Sequence, residues 1–166
     1  EKGIKVMDGH HRYYGAIAAT NAGHEVLRLE CKDFTGSEAD QIAFMVTSSQ
    51  GKPLTAIERG NAYRRLVNQG WTNAEIAKKV KRSIADVDMH LQLTECEESL
   101  IGMVRSGEIA ATTAVAMTKE YGADAGRVAE EKLEKAESKG KRKITKTDAI
   151  PLFNVSKARR FIELYC

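Results

Sequence analysis

Apolar residues recur at three- and four-residue spacings along most of this chain, and only near its beginning do they partly alternate. Ile4-Lys5-Val6-Met7 reads as a short strand closed by an Asp8-Gly9 turn. From His10 to Asn21 the pattern is helical, with Tyr13, Ala16 and Ile17 on one face and Ala22-Gly23 as the stop. Glu25–Cys31 alternates in part and predicts a second strand. The opening is therefore expected to be a small α/β unit, cut short at its front. Everything afterwards predicts helix. Ser37 can cap a helix through Ser49 that buries Ala39, Ile42, Ala43 and Val46, and Gly51-Lys52-Pro53 ends it. Thr55 with Glu58 three residues on is a capping box, opening a helix that ends near Gly70. Further helices are expected at Asn73–Val80, Ile84–Leu93, Glu95–Ser106, Ala110–Tyr121 and Ala123–Ser138. A basic connector, Lys139 to Lys146, leads to a last amphipathic helix, Val155–Tyr165.

Composition agrees with this picture and narrows it. The 166 residues include only two prolines, and 42% are hydrophobic, enough for real cores. No apolar run has the ~18 residues that a membrane span needs. The start, Glu1-Lys2-Gly3, lacks the charged-then-apolar order of a signal peptide, and its missing Met predicts a fragment of a longer protein. Cys31, Cys96 and Cys166 form no Cys-x-x-Cys pair, which argues against a disulfide framework or zinc site and favours a reducing cytoplasm. Net charge is only +3, but between Lys52 and Arg82 eight basic residues face two acidic ones. A second cluster, Lys139-Gly140-Lys141-Arg142-Lys143 with Lys146, lies later. Charge concentrated this way suits a polyanion such as a phosphate backbone.

The segment Trp71 to Leu91 carries the most information. Thr72 or Asn73 can cap a helix bearing Ile76, Ala77 and Val80; Lys81-Arg82-Ser83 interrupts it; Ser83 can cap a second helix with Ile84, Val87 and Leu91 on one side. Two helices crossing steeply over a tight turn need a small residue at the crossing, here Ala77, and a residue to fill their angle, here Val87. This is the pattern of a helix-turn-helix, whose second helix enters the major groove of duplex DNA. The turn position that usually holds Gly is Lys81, which must accept a left-handed backbone or a different turn. Lys78, Lys79, Lys81 and Arg82, with Arg64 and Arg65 on the preceding helix, are the candidates for phosphate. Ser83, Ala85, Asp86 and His90 are the candidates for base edges; Asp86 could accept from a cytosine amine.

At this point the order of motifs resembles the ParB family of chromosome, plasmid and phage partition proteins. Asp8-Gly9-His10-His11-Arg12-Tyr13-Tyr14-Gly15-Ala16 carries the resemblance, followed by Leu54-Thr55-Ala56-Ile57-Glu58, Gly70-Trp71-Thr72-Asn73-Ala74-Glu75-Ile76-Ala77 and Met103-Val104-Arg105-Ser106-Gly107-Glu108-Ile109. It runs from about Ile4 to Tyr121. The resemblance implies a dimer on a centromere-like site, a ParA-type ATPase as partner, and an amino-terminal domain able to bind CTP with Mg. It also implies that the opening strands and the dimerising carboxy-terminal domain lie outside this chain. Gly9, His10, His11 and Arg12 stand where the family has its first phosphate motif; a glycine, a helix start and an arginine suit an anion in any case. The second phosphate motif, Glu-Asn-x-x-Arg, aligns with Thr47-Ser48-Ser49-Gln50-Gly51, where Ser48, Ser49 and Gln50 remain but the carboxylate and arginine do not. Relatives in the same fold family with thiol chemistry place a Cys where this chain has His10, so a thiol enzyme is not expected.

The expected fold is mainly α with a small α/β part: a truncated ParB-like α/β domain followed by a helix-turn-helix helical domain. Residues 1–50 would be the end of the nucleotide or phosphate domain, 51–122 the DNA-reading domain and 123–166 a helical, basic extension. The expected function is centromere binding in partition, in the cytoplasm on nucleoid or plasmid. A transcriptional regulator using the same module and a CTP-dependent hydrolase are the alternatives. The connector Lys139–Lys146 can be a phosphate-touching arm or a solvated linker.

Overall fold

Helices as short as these need partners for the free N–H groups of their first turns, and the chain supplies them from its own side chains. The computed structural model describes residues 6–47 and 53–150. Its helices are α1 His10–Asn21, α2 Glu38–Thr47, α3 Ala56–Asn68, α4 Asn73–Val80, α5 Ile84–Leu93, α6 Glu98–Ser106, α7 Ala111–Tyr121, α8 Ala125–Glu137 and α9 Lys146–Ala149, with a 3₁₀ turn at Gly122–Asp124. Thr55 and Glu58 close the expected capping box on α3: the Thr55 amide donates to Glu58 Oε2 at 2.8 Å and the Glu58 amide to Thr55 Oγ1 at 3.2 Å. On α4 the cap is Thr72, in the same reciprocal arrangement with Glu75. The Thr72 hydroxyl and amide hold the Glu75 carboxyl below its ordinary pKa.

The backbone divides into two compact units, Glu1–Ile84 and Ala85–Cys166. In the first, α2, α3 and α4 pack on one another. Ala39, Ile42, Ala43 and Val46 are buried on α2, as the periodicity predicts, with Ile57, Tyr63 and Leu66 on α3 and Ile76, Ala77 and Val80 on α4. Burying each of the larger side chains contributes about 1.5–3 kcal/mol. By contrast, α1 buries no residue. Tyr13 and Ile17 on it, with Val26 and Leu29 after it, line a shallow groove of about 250 Å³.

In the second unit α7 packs against α6, α8 and α9, and α8 against α6 and α9. Leu93, Leu100, Ala114, Met117 and Ala129 are fully enclosed. Gly126, in the first turn of α8, donates its amide to Glu97 Oε2 at 3.2 Å. A Cβ there would meet the Glu97 carboxylate and the Ser99 hydroxyl, which would have to shift to admit it.

The α/β opening is where expectation and structure part. Residues 25–31 carry no strand, and Val6 and Met7 none; Ile4 and Lys5 lie outside the described residues. A strand exists only as a ladder, and among the described residues no strand pairs with 25–31; Leu27 is 85% exposed. Every regular element described is helical, and a parallel bridge between Ile109 and Ile144 is the β-type pairing seen. The expected helix Val155–Tyr165 also lies outside the described residues. Within the stretch read as a basic connector, Thr145 and Asp148 form a capping box that opens α9.

Candidate nucleic-acid interface

In the first unit the candidate residues lie on α4 and the turn after it. Ile76, Ala77 and Val80 anchor α4 in its unit, which leaves Lys78 turned outward and exposed. The helix then stops on Lys81, whose φ of 55° and ψ of 46° are left-handed. The Arg82 amide donates to the Ala77 carbonyl at 2.9 Å and the Lys81 amide to that of Lys78 at 3.4 Å, a Schellman closure. Helices α3 and α6 close in the same way on Gly70 and Gly107, at φ 91° and 79°. Lys81 is the single non-glycine with positive φ among the described residues. A lysine thus takes a glycine's place at the turn, and Lys81, Arg82 and Ser83 are all exposed there.

Two cations singled out in the sequence are engaged elsewhere. Lys79 pairs with Asp40 of α2, and its ammonium lies 6.0 Å from the centre of the Trp71 ring. Lys79, joined by the Ser37 hydroxyl and amide, holds the Asp40 carboxyl far below the usual carboxylate range. Arg65 pairs with Glu38 of α2, whose other oxygen accepts from Gln69 Nε2 at 2.8 Å. Lys79 and Arg65 therefore pair with α2, Lys79 partly covered and Arg65 still 60% exposed. Sequence reading missed this use of them; the paired acids Glu38 and Asp40 on the facing helix were the available signal. Arg64 is half-buried on α3.

In the second unit the candidate residues lie on α5. Ala85 is exposed and Asp86 half-buried at its start. His90 is only 4% exposed, which removes it from the residues able to meet a base edge. Its Nδ1–H donates to the Asp86 carbonyl at 2.7 Å, and the Asp86 carboxylate lies 3.6 Å from the same nitrogen. A buried imidazole needs such partners, so His90 belongs to the framework of α5. Val87 and Leu91 are buried as expected, whereas Ile84, expected beside them, is 50% exposed. It is the first residue of its helix, where the chain leaves the turn. Ser83, Ile84 and Ala85 are each exposed.

At the amino-terminal motif Gly9 caps α1 with φ 84°. The Asp8 carboxylate accepts its amide at 2.7 Å, and the Arg12 guanidinium folds over it, so that a Cβ on Gly9 would sit 3.2 Å from Nη2. His10 and His11 are exposed. No cluster of three His, Cys, Asp or Glu able to hold a metal occurs among the described residues. Ser48, Ser49 and Gln50 lie outside the described residues.

In chain order, a short helix capped by Thr72, a three-residue turn with a left-handed first residue and a second short helix are the elements of a helix-turn-helix. Comparison with known proteins takes the assignment further. Residues 52–139, more than half of the chain, match the ParB HTH domain, and the chain belongs to the ParB family. It is also similar to the chromosome-partitioning protein Spo0J of Thermus thermophilus, at 29% identity over 115 residues. That match covers 69% of this chain but 41% of the relative, so the chain corresponds to less than half of that protein's length. No described helix is long and apolar enough to cross a membrane.

Proposed function

We propose that this chain is the duplex-reading part of a ParB-type partition protein, which binds a centromere-like site on a chromosome, plasmid or phage genome. The observation that carries the reading is the turn at Lys81 inside a segment matching the ParB HTH domain: a cation stands where the fold wants glycine, beside exposed Lys78 and Arg82. Those three side chains contact phosphates and fix the register. Ser83, Ile84 and Ala85 lie toward base edges, where apolar groups meet a thymine methyl and a hydroxyl meets either donor or acceptor. Asp86 accepts from a cytosine amine. Residues 51–122 form the reading domain, 1–50 the end of the preceding phosphate-type domain and 123–166 a basic extension. The full-length protein is a homodimer on an inverted repeat and works with a ParA-type ATPase.

The test is binding of this chain to a pool of random duplexes at two salt concentrations, with sequencing of what is retained. An enriched sequence that recurs as an inverted repeat is the expected result. Retention without enrichment would leave only backbone binding, and no retention at low salt would refute the assignment.

A further inference from the structure

The stretch between α8 and α9 was legible only as either a loose linker or an arm. Its backbone is held at both ends. After α8 the Lys141 amide donates to the Ala136 carbonyl at 2.9 Å, and the Gly140 amide to that of Glu137 at 2.8 Å. Three residues later the Ile144 amide donates to the Glu108 carbonyl at 3.0 Å, within the parallel bridge to Ile109. Ile144 is 4% exposed and Ala149 fully enclosed, and the Tyr121 hydroxyl donates to the Ala149 carbonyl at 3.2 Å. A solvated linker would bury neither residue. Between these anchors Lys139, Arg142 and Lys143 are exposed and have no carboxylate partner among the described residues. Lys141 differs, lying 3.6 Å from Asp148. The segment 139–143 thus presents three cations with no carboxylate partner among the described residues, on a backbone already fixed, outside the reader helices and where the family match ends at Lys139.

We propose that Lys139, Arg142 and Lys143 form a second phosphate-contact site for duplex DNA, separate from the α4–α5 reader. The proposal rests on the DNA-binding reading above. Duplex phosphate is the occupant because the charge is compact, carries no apolar residues that would enter a lipid surface, and belongs to a chain with another exposed cationic set. Fixed backbone matters because little conformational freedom is then lost on binding. The site reads no sequence; it lengthens the footprint and raises affinity for every duplex alike.

The experiment compares the full 166-residue chain with two variants, Lys139→Ala/Arg142→Ala/Lys143→Ala and Lys78→Ala/Arg82→Ala, on a long mixed-sequence duplex across a salt series. The expected result for the first variant is a slope of log K against log salt shallower by about 2 to 3, with affinity down roughly tenfold or more at low salt. A Lys139→Arg/Arg142→Lys/Lys143→Arg variant should restore both. An unchanged slope in the connector variant, with weakened binding in the reader variant, overturns the second site and leaves the proposed function standing. Failure of the unaltered chain to bind duplex at any salt sinks that function instead. Connector-dependent binding to phosphatidylserine vesicles, with duplex binding unaffected, would also overturn the proposal.

Discussion

Replacing Lys81 separates two roles that the turn imposes on one residue. Holding a side chain in the left-handed region costs about 1–2 kcal/mol because Cβ crowds the following carbonyl. Glycine escapes that cost but gives up about 0.5–1 kcal/mol of extra backbone freedom on folding. The difference predicts that Lys81→Gly is more stable than Lys81→Ala by about 0.5–1 kcal/mol, since Ala keeps the Cβ at φ 55°. Both variants lose the same charge at the end of α4, so its favourable interaction with the helix dipole cancels in the comparison. For a chain of this size the glycine variant should melt about 1–4 °C above the alanine variant. Circular dichroism on the two proteins, followed through heat and urea, measures this. On duplex DNA the two should be alike, each with a salt slope shallower by about 0.9 than the unaltered chain. If alanine proves as stable as glycine, the turn is not left-handed and the account of this helix end is wrong. If glycine is more stable yet binds as tightly as lysine, the strain is real but the ammonium touches no phosphate.

Other perturbations test neighbouring parts of the argument. Lys78→Ala with Arg82→Ala should weaken binding to all duplexes together, whereas Ser83→Ala or Asp86→Asn should change the preference among sites recovered from a random pool; a uniform loss from the latter pair would remove them from base reading. His90→Ala should cost roughly 2 kcal/mol of stability by leaving a cavity where the buried imidazole stood, read as an earlier urea midpoint. Asp40→Asn should loosen α2 from α4. Because the folded Asp40 carboxyl is held below its ordinary value, the pair's contribution is present above that ordinary value and is lost as pH falls through the lower folded one. The variant's acid unfolding curve should therefore be flatter, and an unchanged curve would show that the pair adds nothing. Gly126→Ala should destabilise the second unit, since the added methyl meets Glu97 and Ser99.

Much of this was legible because local rules and tertiary packing agree. The capping boxes at Thr55 and Thr72, the buried face of α2 and the odd lysine at the turn each follow from spacings within a few residues. What was not legible depends on groups far apart in the chain. Glu25–Cys31 has the alternation of a strand, but alternation supplies only a willingness to pair, and among the described residues no neighbour takes it up. Lys79 carries the same charge as Lys78 one position before it; only the approach of Asp40, thirty-nine residues earlier, distinguishes a tether from an open cation. His90 reads as a polar residue on a recognition helix until the Asp86 carbonyl is found at its Nδ1. Ile144 was lost inside a run of lysines, though an isolated isoleucine in such a run is a plausible anchor and turned out to be one.

The distinction between committed and open cations changes what the charge of this protein means. A count over Lys52 to Arg82 makes the whole stretch look like phosphate-binding surface, with Lys79 and Arg65 in it. In the fold those two neutralise Glu38 and Asp40, and an ion already paired releases little counterion from DNA unless its partner lets go. On α4 and its turn the exposed cations are Lys78, Lys81 and Arg82, about three contacts and a slope near −2.7 by themselves. Such a slope gives weak, sequence-tolerant holding. Adding the three open cations of the connector brings the expected slope to about −5, closer to that of proteins that grip a duplex along a full site. On the proposed reading the phosphate-facing charge is split between two segments some sixty residues apart in sequence, and a measured slope near −2.7 or near −5 decides whether one segment or both lie against the phosphates.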